Sequence, residues 1–134
     1  MIKMKWFFLK SIVVFYLITL PAQAEEPTGS ATPVIPTPGM VTMVDMGANN
    51  CIPCKMMAPI IEELKKEYEN QASILYIDVR AQPEVAARFS VRGIPTQIFF
   101  GKNGTEAFRH IGFMDKKSIV STFEKLGATN PSSK

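Results

Sequence analysis

The chain has 134 residues, and its 15 Lys and Arg against 12 Asp and Glu give a formal net charge of +3. Three of the basic residues lie within residues 1–24 and every acidic residue lies beyond them, so the remaining 110 residues carry no net formal charge. A chain of that length forms one domain around a single core. The balanced charge excludes the basic footprint of a nucleic-acid-binding protein, and we expect no nucleic-acid partner.

Residues 1–24 have the pattern of a secretory signal peptide. An apolar run, SIVVFYLITL at residues 11–20, is followed by the small-x-small sequence Ala22-Gln23-Ala24 and is preceded by three lysines, Lys3, Lys5 and Lys10. The run is short for a membrane span of about 20 residues. We therefore predict export to the periplasm with cleavage after Ala24, and an uncleaved N-terminal membrane anchor is the alternative.

Residues 25–39, EEPTGSATPVIPTPG, are rich in Pro, Thr, Ser and Gly and predict a linker. A regular pattern then begins, so we place the domain at residues 40–130. MVTMVDM at 40–46 predicts a buried strand, residues 51–70 predict a helix, and ASILYIDV at 72–79 predicts a second strand. The helix has one apolar stripe at helical spacing, formed by Met57, Ile60, Ile61, Leu64 and Tyr68.

The second half continues with a short helix that opens at Pro83, a strand at residues 96–100 and a turn at 101–104. EAFRHIGF at 106–113 predicts the partner strand of a hairpin, and a last helix is capped by Asp115 and ended by Gly127. The order β-α-β-α-β-β-α indicates an α/β fold. We expect the helix-linked strands to pair in parallel and the last two to pair antiparallel.

The two cysteines occur together in GANNCIPCKMMAP, residues 47–59, as Cys51 and Cys54. A structural zinc site needs four ligands, and His110 is the one histidine that could join them. A c-type haem attachment requires His directly after the second Cys, where Lys55 stands. A disulfide across two residues closes a small loop and constrains the unfolded chain little. We therefore expect no metal and no cofactor, and we favour a reactive dithiol.

The segment follows a strand and opens a helix, which gives the dithiol a mechanism. Cys51 would lie at the helix N-terminus, where backbone N–H groups favour a thiolate. Cys51 would then attack a substrate disulfide, and Cys54 would resolve the mixed disulfide. Pro53 would stiffen the loop and tune the pair.

VDMGANNCIPCKMMAP resembles the active-site segment of thioredoxins, with Val44-Asp45, Cys51, Pro53, Cys54 and Pro59 in the family's register. VRGIPTQIFF at 91–100 resembles the family's second motif, and the resemblance covers about residues 40–127. It implies a thioredoxin-like fold, with a central mixed sheet of about four strands flanked by helices.

The resemblance also implies site roles. Pro95 would be cis, and the backbone of Ile94 would pair with an extended substrate peptide. Thr96 would belong to the same substrate-binding element. Ile52 would add an apolar group at the substrate face. Asp45 would lie buried beneath the cysteines and exchange a proton with Cys54, or, in the simpler alternative, cap a backbone donor.

Four positions depart from the family pattern. Asn50 and Gly47 stand where thioredoxins usually have tryptophans, and Ile52 stands where they have glycine between the cysteines. Tyr76 stands where a lysine often lies beside the buried aspartate. Six methionines, which we expect to serve mainly in packing, also mark the domain: Met40, Met43, Met46, Met56, Met57 and Met114.

These features predict a monomeric thiol–disulfide oxidoreductase that reduces disulfides of exported proteins with electrons from a membrane thiol carrier. A disulfide-forming oxidant or isomerase is the alternative within the enzyme class, although such enzymes often carry His where Pro53 stands. A binding module with incidental thiols is the alternative of another class. His110 is expected to have no catalytic task.

Overall fold

The computed structural model describes residues 33–130. The predicted signal peptide and most of the predicted linker lie outside the described residues, so both stay predictions. Four strands and three helices follow the predicted order: β1 Val41–Gly47, α1 Ile52–Glu67, β2 Ala72–Asp78, α2 Pro83–Arg88, β3 Thr96–Phe100, β4 Glu106–Ile111 and α3 Lys116–Lys125. Among these helices, none has the length and apolar character that a membrane span needs.

The four strands form one mixed sheet in the order β2-β1-β3-β4. β1 pairs in parallel with β2, from Val41 beside Ala72 to Gly47 beside Asp78. β3 pairs antiparallel with β1 and also with β4. The expectation that the second helical connection would also join parallel neighbours is wrong, because β3 lies on the far side of β1 and runs the opposite way.

The strand register shows where this reversal takes place. Residues 79–95 link β2 to β3 and include α2, and β3 starts at the end of the sheet where β2 finishes. A connection of this length can join either parallel or antiparallel strands, so the pattern of the sequence does not decide the direction of β3. Thr96 at the start of β3 pairs with Met46, and Gly47 pairs with Asp78 at the end of β2.

β1 is the centre of the fold, and all seven of its residues are buried. Strand side chains alternate between the two faces of a sheet. Met43 faces a core cluster shared with α1 and α3, whereas Val44 faces a second cluster that includes Val85 of α2. The central sheet is thus covered on both faces, which makes the ends of its strands the natural place for a site.

The predicted apolar stripe packs α1 onto the first cluster. Met57, Ile61, Leu64 and Tyr68 are buried, and Ile60 packs against them. Pro59 lies inside α1 without ending it. Asp115 caps α3 as predicted, because its carboxylate accepts a hydrogen bond from the Ser118 amide at 3.0 Å.

The ordered packing begins before residue 40. Ile35 is buried and packs with Val44 and Ile98 in the second cluster. Four of the six methionines are also buried, namely Met43, Met46, Met57 and Met114, whereas Met56 is exposed. Most of this set therefore serves the core, as expected.

Candidate functional site: a dithiol at a helix N-terminus

Cys51 and Cys54 form a disulfide at the start of α1. Cys51 is the N-cap residue in an extended conformation, and the Cys54 amide donates to its Sγ at 3.3 Å. Cys51 is half-buried, whereas Cys54 is only 4% exposed. The helix N-terminus and the amide both favour negative charge on Cys51 Sγ, so the arrangement suits Cys51 as the attacking sulfur and Cys54 as the shielded one.

The residues between the sulfurs differ in exposure. Pro53 lies in the first turn of α1, where its missing N–H costs no intrahelical hydrogen bond. Ile52 is 76% exposed and presents an apolar side chain beside the disulfide. A solvent-exposed isoleucine next to a reactive sulfur provides apolar area that an incoming protein segment can cover.

The second motif lies at the same end of the sheet. Since Thr96 pairs with Met46, the Ile94–Pro95 segment enters β3 beside the end of β1, from which the chain leads to Cys51. The Ile94–Pro95 peptide bond is cis. The segment is held from both sides, because the Thr96 hydroxyl donates to Gly93 O at 2.6 Å and the Gly112 amide donates to Pro95 O at 2.8 Å.

Asp45 lies in the middle of β1 and is fully buried. Burial raises the pKa of its carboxyl from 3.8 to about 6, and a hydrogen bond from Gln97 opposes this rise. The Gln97 Nε2 donates to Asp45 Oδ1 at 2.8 Å, while Asp45 Oδ2 has no hydrogen-bond partner among the described residues. A carboxyl with this pKa can take up and release a proton near neutral pH.

Gly47 is the β1 residue that the Cys54 side chain approaches. Gly47 and Asp45 are two positions apart on β1 and therefore lie on the same face of the sheet. A Cβ on Gly47 would lie 3.4 Å from Cys54 Sγ and 3.0 Å from Tyr76 Cε2. The absence of a side chain at Gly47 thus lets both the buried sulfur and the Tyr76 ring approach β1 next to Asp45.

Tyr76 lies in the space that the missing side chain of Gly47 leaves open. It is the β2 partner of Asp45 in the parallel register and is 39% exposed. Together with Cys54 and Lys55 it lines an open cavity of about 340 Å³. An aromatic side chain, and not an ammonium group, is therefore the neighbour of Asp45 on this side.

His110 is the last ionisable residue that the sequence singled out. It is half-buried on β4, opposite Gln97, and its Nε2 lies 3.1 Å from Phe113 O. Within residues 33–130, no three His, Cys, Asp or Glu side chains are grouped so that they could hold a metal ion.

The residue that the sequence analysis missed is Gln97. It is fully buried and forms the only hydrogen bond described for the Asp45 carboxyl. The available signal was an amide side chain within the apolar strand TQIFF, but only the β1–β3 register shows that it faces Asp45.

A half-buried and a shielded cysteine at a helix N-terminus, close to a buried carboxyl and a cis-proline segment, define a thiol–disulfide oxidoreductase of the thioredoxin class. The thioredoxin family model matches residues 34–125. Thioredoxins of Staphylococcus saprophyticus and Staphylococcus aureus are 44% and 42% identical over 85 residues, covering 63% of this chain and 81% of each relative.

Solved structures agree with the sequence relatives. Fasciola hepatica thioredoxin superposes with a TM-score of 0.60 at 33% identity, covering 66% of this chain and 82% of that one. A malarial protein superposes with a TM-score of 0.61 at 26% identity, covering 66% of this chain and 98% of that one. The chain belongs to the thioredoxin family and is a thiol–disulfide oxidoreductase whose redox pair is Cys51 and Cys54.

Proposed function

We propose that this protein is exported to the periplasm and works there in the reducing direction. The signal-peptide pattern of residues 1–24 supports export. The observation that carries the reducing direction is the position of Pro53 between the cysteines. No charged side chain stands between the sulfurs, so stabilisation of the Cys51 thiolate rests on the helix N-terminus and the Cys54 amide.

The reaction begins with the reduced protein. The Cys51 thiolate attacks one sulfur of a substrate disulfide, forms a mixed disulfide and releases the other substrate sulfur as a thiolate. The Cys54 thiol then gives its proton to the Asp45 carboxylate and attacks Cys51 Sγ. The second substrate thiolate leaves, the Cys51–Cys54 disulfide forms, and two electrons have passed to the substrate.

Substrate recognition uses the face around Cys51. The backbone of Ile94, before cis-Pro95, pairs with an extended segment of the substrate, and Thr96 holds this element through Gly93. Ile52 covers an apolar side chain of the same segment. Disulfides in exported proteins that are locally unfolded provide such segments, so they are the proposed substrate class.

Repeated turnover requires a source of electrons. Each reaction leaves the protein oxidised, and an exported domain has no access to cytosolic reductants. We propose a membrane thiol carrier that attacks the half-buried Cys51 sulfur and returns two electrons. The protein acts as a monomer in this exchange.

The reduction potential of the Cys51–Cys54 pair tests the direction. The oxidised protein is equilibrated with defined glutathione and dithiothreitol buffers, and the thiol fraction is measured after acid quenching and alkylation. A value near about −270 mV, as in thioredoxin, supports a reductase, whereas a value near about −120 mV identifies an oxidant and refutes the proposed direction.

A trapping experiment in the native host tests export and the substrate class. Cys54→Ser leaves the mixed disulfide unresolved, so substrates stay bound to Cys51, and Cys51→Ser is the matched control that cannot form this adduct. Periplasmic proteins bound to Cys54→Ser alone would support the proposal. Adducts confined to cytosolic proteins, or a chain that retains residues 1–24 inside the cytosol, would refute it.

A further inference from the structure

Gln97 is a buried polar side chain that the mechanism above does not use. It lies on the central strand β3, where every residue is buried, and faces Asp45 across the β1–β3 register. Its Nε2 donates to Asp45 Oδ1 at 2.8 Å, but its Oε1 has no partner among the described residues. A buried amide that is half satisfied costs stability relative to an apolar residue, so packing alone does not account for it.

The other groups around Asp45 leave Gln97 as its main polar contact. Tyr76 approaches from β2, Cys54 from the start of α1, and His110 lies one strand beyond Gln97 on β4. Where α3 covers this face it contributes Ile119 and Phe123.

The charged residues of the same elements are engaged elsewhere or exposed. Lys116 of α3 pairs with Glu63 and Glu67 of α1. Lys55 and Lys65 of α1 and Lys117, Glu124 and Lys125 of α3 are exposed. Within residues 33–130, the hydrogen bond described for the Asp45 carboxyl therefore comes from a neutral amide.

We propose that Gln97 is a positioning residue that holds Asp45 by Oδ1 and thereby assigns the proton of Cys54 to Oδ2. This inference rests on the proposed function of Asp45 as proton acceptor. In the step concerned, the Cys54 thiol, the Asp45 carboxylate and the mixed disulfide on Cys51 become the Cys51–Cys54 disulfide, a protonated Asp45 and a released substrate thiolate. The proton on Oδ2 later passes to solvent, which restores the carboxylate.

The geometry explains why a neutral donor suits this task. A donor to Oδ1 stabilises the carboxylate, but less than a cation would, so the carboxyl still gains a proton readily. Because the same N–H can donate to Oδ1 in both protonation states, the side chain keeps its orientation through the cycle. Oδ2, which has no protein partner among the described residues, remains available to the proton.

The test compares wild type with Gln97→Met, which keeps the length of the side chain and removes the donor. Ile98→Val is the matched control, because it changes the same strand on its opposite face. Asp45 is first titrated by carboxyl ¹³C NMR in the oxidised proteins. We expect its inflection to move upward by about one pH unit in Gln97→Met and to stay in place in Ile98→Val.

The second measurement is the pH profile of the Cys54 step. The reduced proteins are mixed with an aromatic disulfide at concentrations where mixed-disulfide formation no longer limits the rate, so that release of the second aromatic thiol reports the attack by Cys54. We expect the inflection of this rate to move upward together with that of Asp45. A purely structural role for Gln97 would lower the rate at every pH without moving the inflection.

Three outcomes separate the inference from the proposed function. If both inflections move together, the positioning role is supported. An unchanged carboxyl inflection in Gln97→Met overturns it, and Asp45 keeps its proposed role provided that Asp45→Asn slows the Cys54 step. If the carboxyl inflection moves while the rate profile does not, Asp45 is not the proton acceptor, and both the proposal and the inference fail.

Discussion

Replacing Asp45 with Asn removes a buried carboxyl whose ionised form lacks the hydration that it has in the unfolded chain. Burial raises the pKa of Asp45 from 3.8 to about 6, against the effect of the Gln97 hydrogen bond. The folded protein therefore binds this proton more tightly than the unfolded chain does. The carboxyl contributes stability below about pH 4, and this contribution is lost as the pH rises through about 6.

The size of the effect follows from the pKa shift. A rise from 3.8 to about 6 is about two pKa units, and each unit corresponds to about 1.4 kcal/mol, so ionised Asp45 costs the fold about 3 kcal/mol. Asn keeps an oxygen for Gln97 and places an amide where Oδ2 lacks a partner. That unsatisfied amide adds a cost of about 1–3 kcal/mol that does not depend on pH.

The assay is denaturant unfolding of the oxidised proteins, followed by far-ultraviolet circular dichroism, at several values between about pH 3.5 and about pH 7.5. We expect the free energy of unfolding of Asp45→Asn, relative to wild type, to rise by about 3 kcal/mol across this range. Carboxyls with a lowered pKa, such as those of Glu62 and Glu106, are present in both proteins and cancel. A difference that stays constant, or that falls towards neutral pH, would refute the reasoning.

Three further changes test the packing and the substrate face. Gly47→Ala brings a Cβ to 3.0 Å from Tyr76 Cε2, so we expect a loss of about 1–3 kcal/mol in unfolding free energy. The same change made in the Tyr76→Ala background should cost much less, and equal losses in the two backgrounds would contradict the contact. Tyr68→Phe deletes a buried hydroxyl that has no partner among the described residues, and we expect unfolding experiments to show a gain of about 1 kcal/mol, whereas a loss would reveal a missing partner. Ile52→Ser replaces an exposed side chain, so kcat/KM for a protein disulfide should fall about three- to tenfold with an unchanged melting temperature; unchanged kinetics would remove Ile52 from the substrate face.

Most elements of the fold could be predicted because nearby residues mark their limits or their buried face. Pro95 and Gly101 flank β3, which matches its predicted limits, and the apolar stripe of α1 shows its buried face directly. The direction of β3 could not be obtained in this way, since periodicity shows which face is buried but not which strand is the neighbour. The direction of β3 follows from its antiparallel pairing with β1, which no local pattern in the sequence specifies.

The candidate site also contains one part that local sequence signals predict and one part that depends on contacts between distant residues. Cys51 and Cys54 are close in sequence, so their spacing, together with the strand before them and the helix after them, indicates a redox pair at the helix start. Gln97 and Asp45 are 52 residues apart, and their contact depends on the β1–β3 register. No local pattern distinguishes a glutamine that faces a buried carboxyl from one that faces solvent, so this part of the site required the three-dimensional structure.

Gly47, Tyr76 and Gln97 are best understood as one arrangement around Asp45. A tryptophan at Gly47 would compete for the space that the Tyr76 ring occupies, because even a Cβ there would lie 3.0 Å from that ring. With Tyr76 in this space, the lysine that thioredoxins often place beside the aspartate is absent. Asp45 then depends on a neutral donor from the opposite strand, and Gln97 provides it at 2.8 Å. Burial raises the carboxyl pKa to about 6 against the effect of this hydrogen bond, and a carboxyl with that pKa can still transfer its proton near neutral pH.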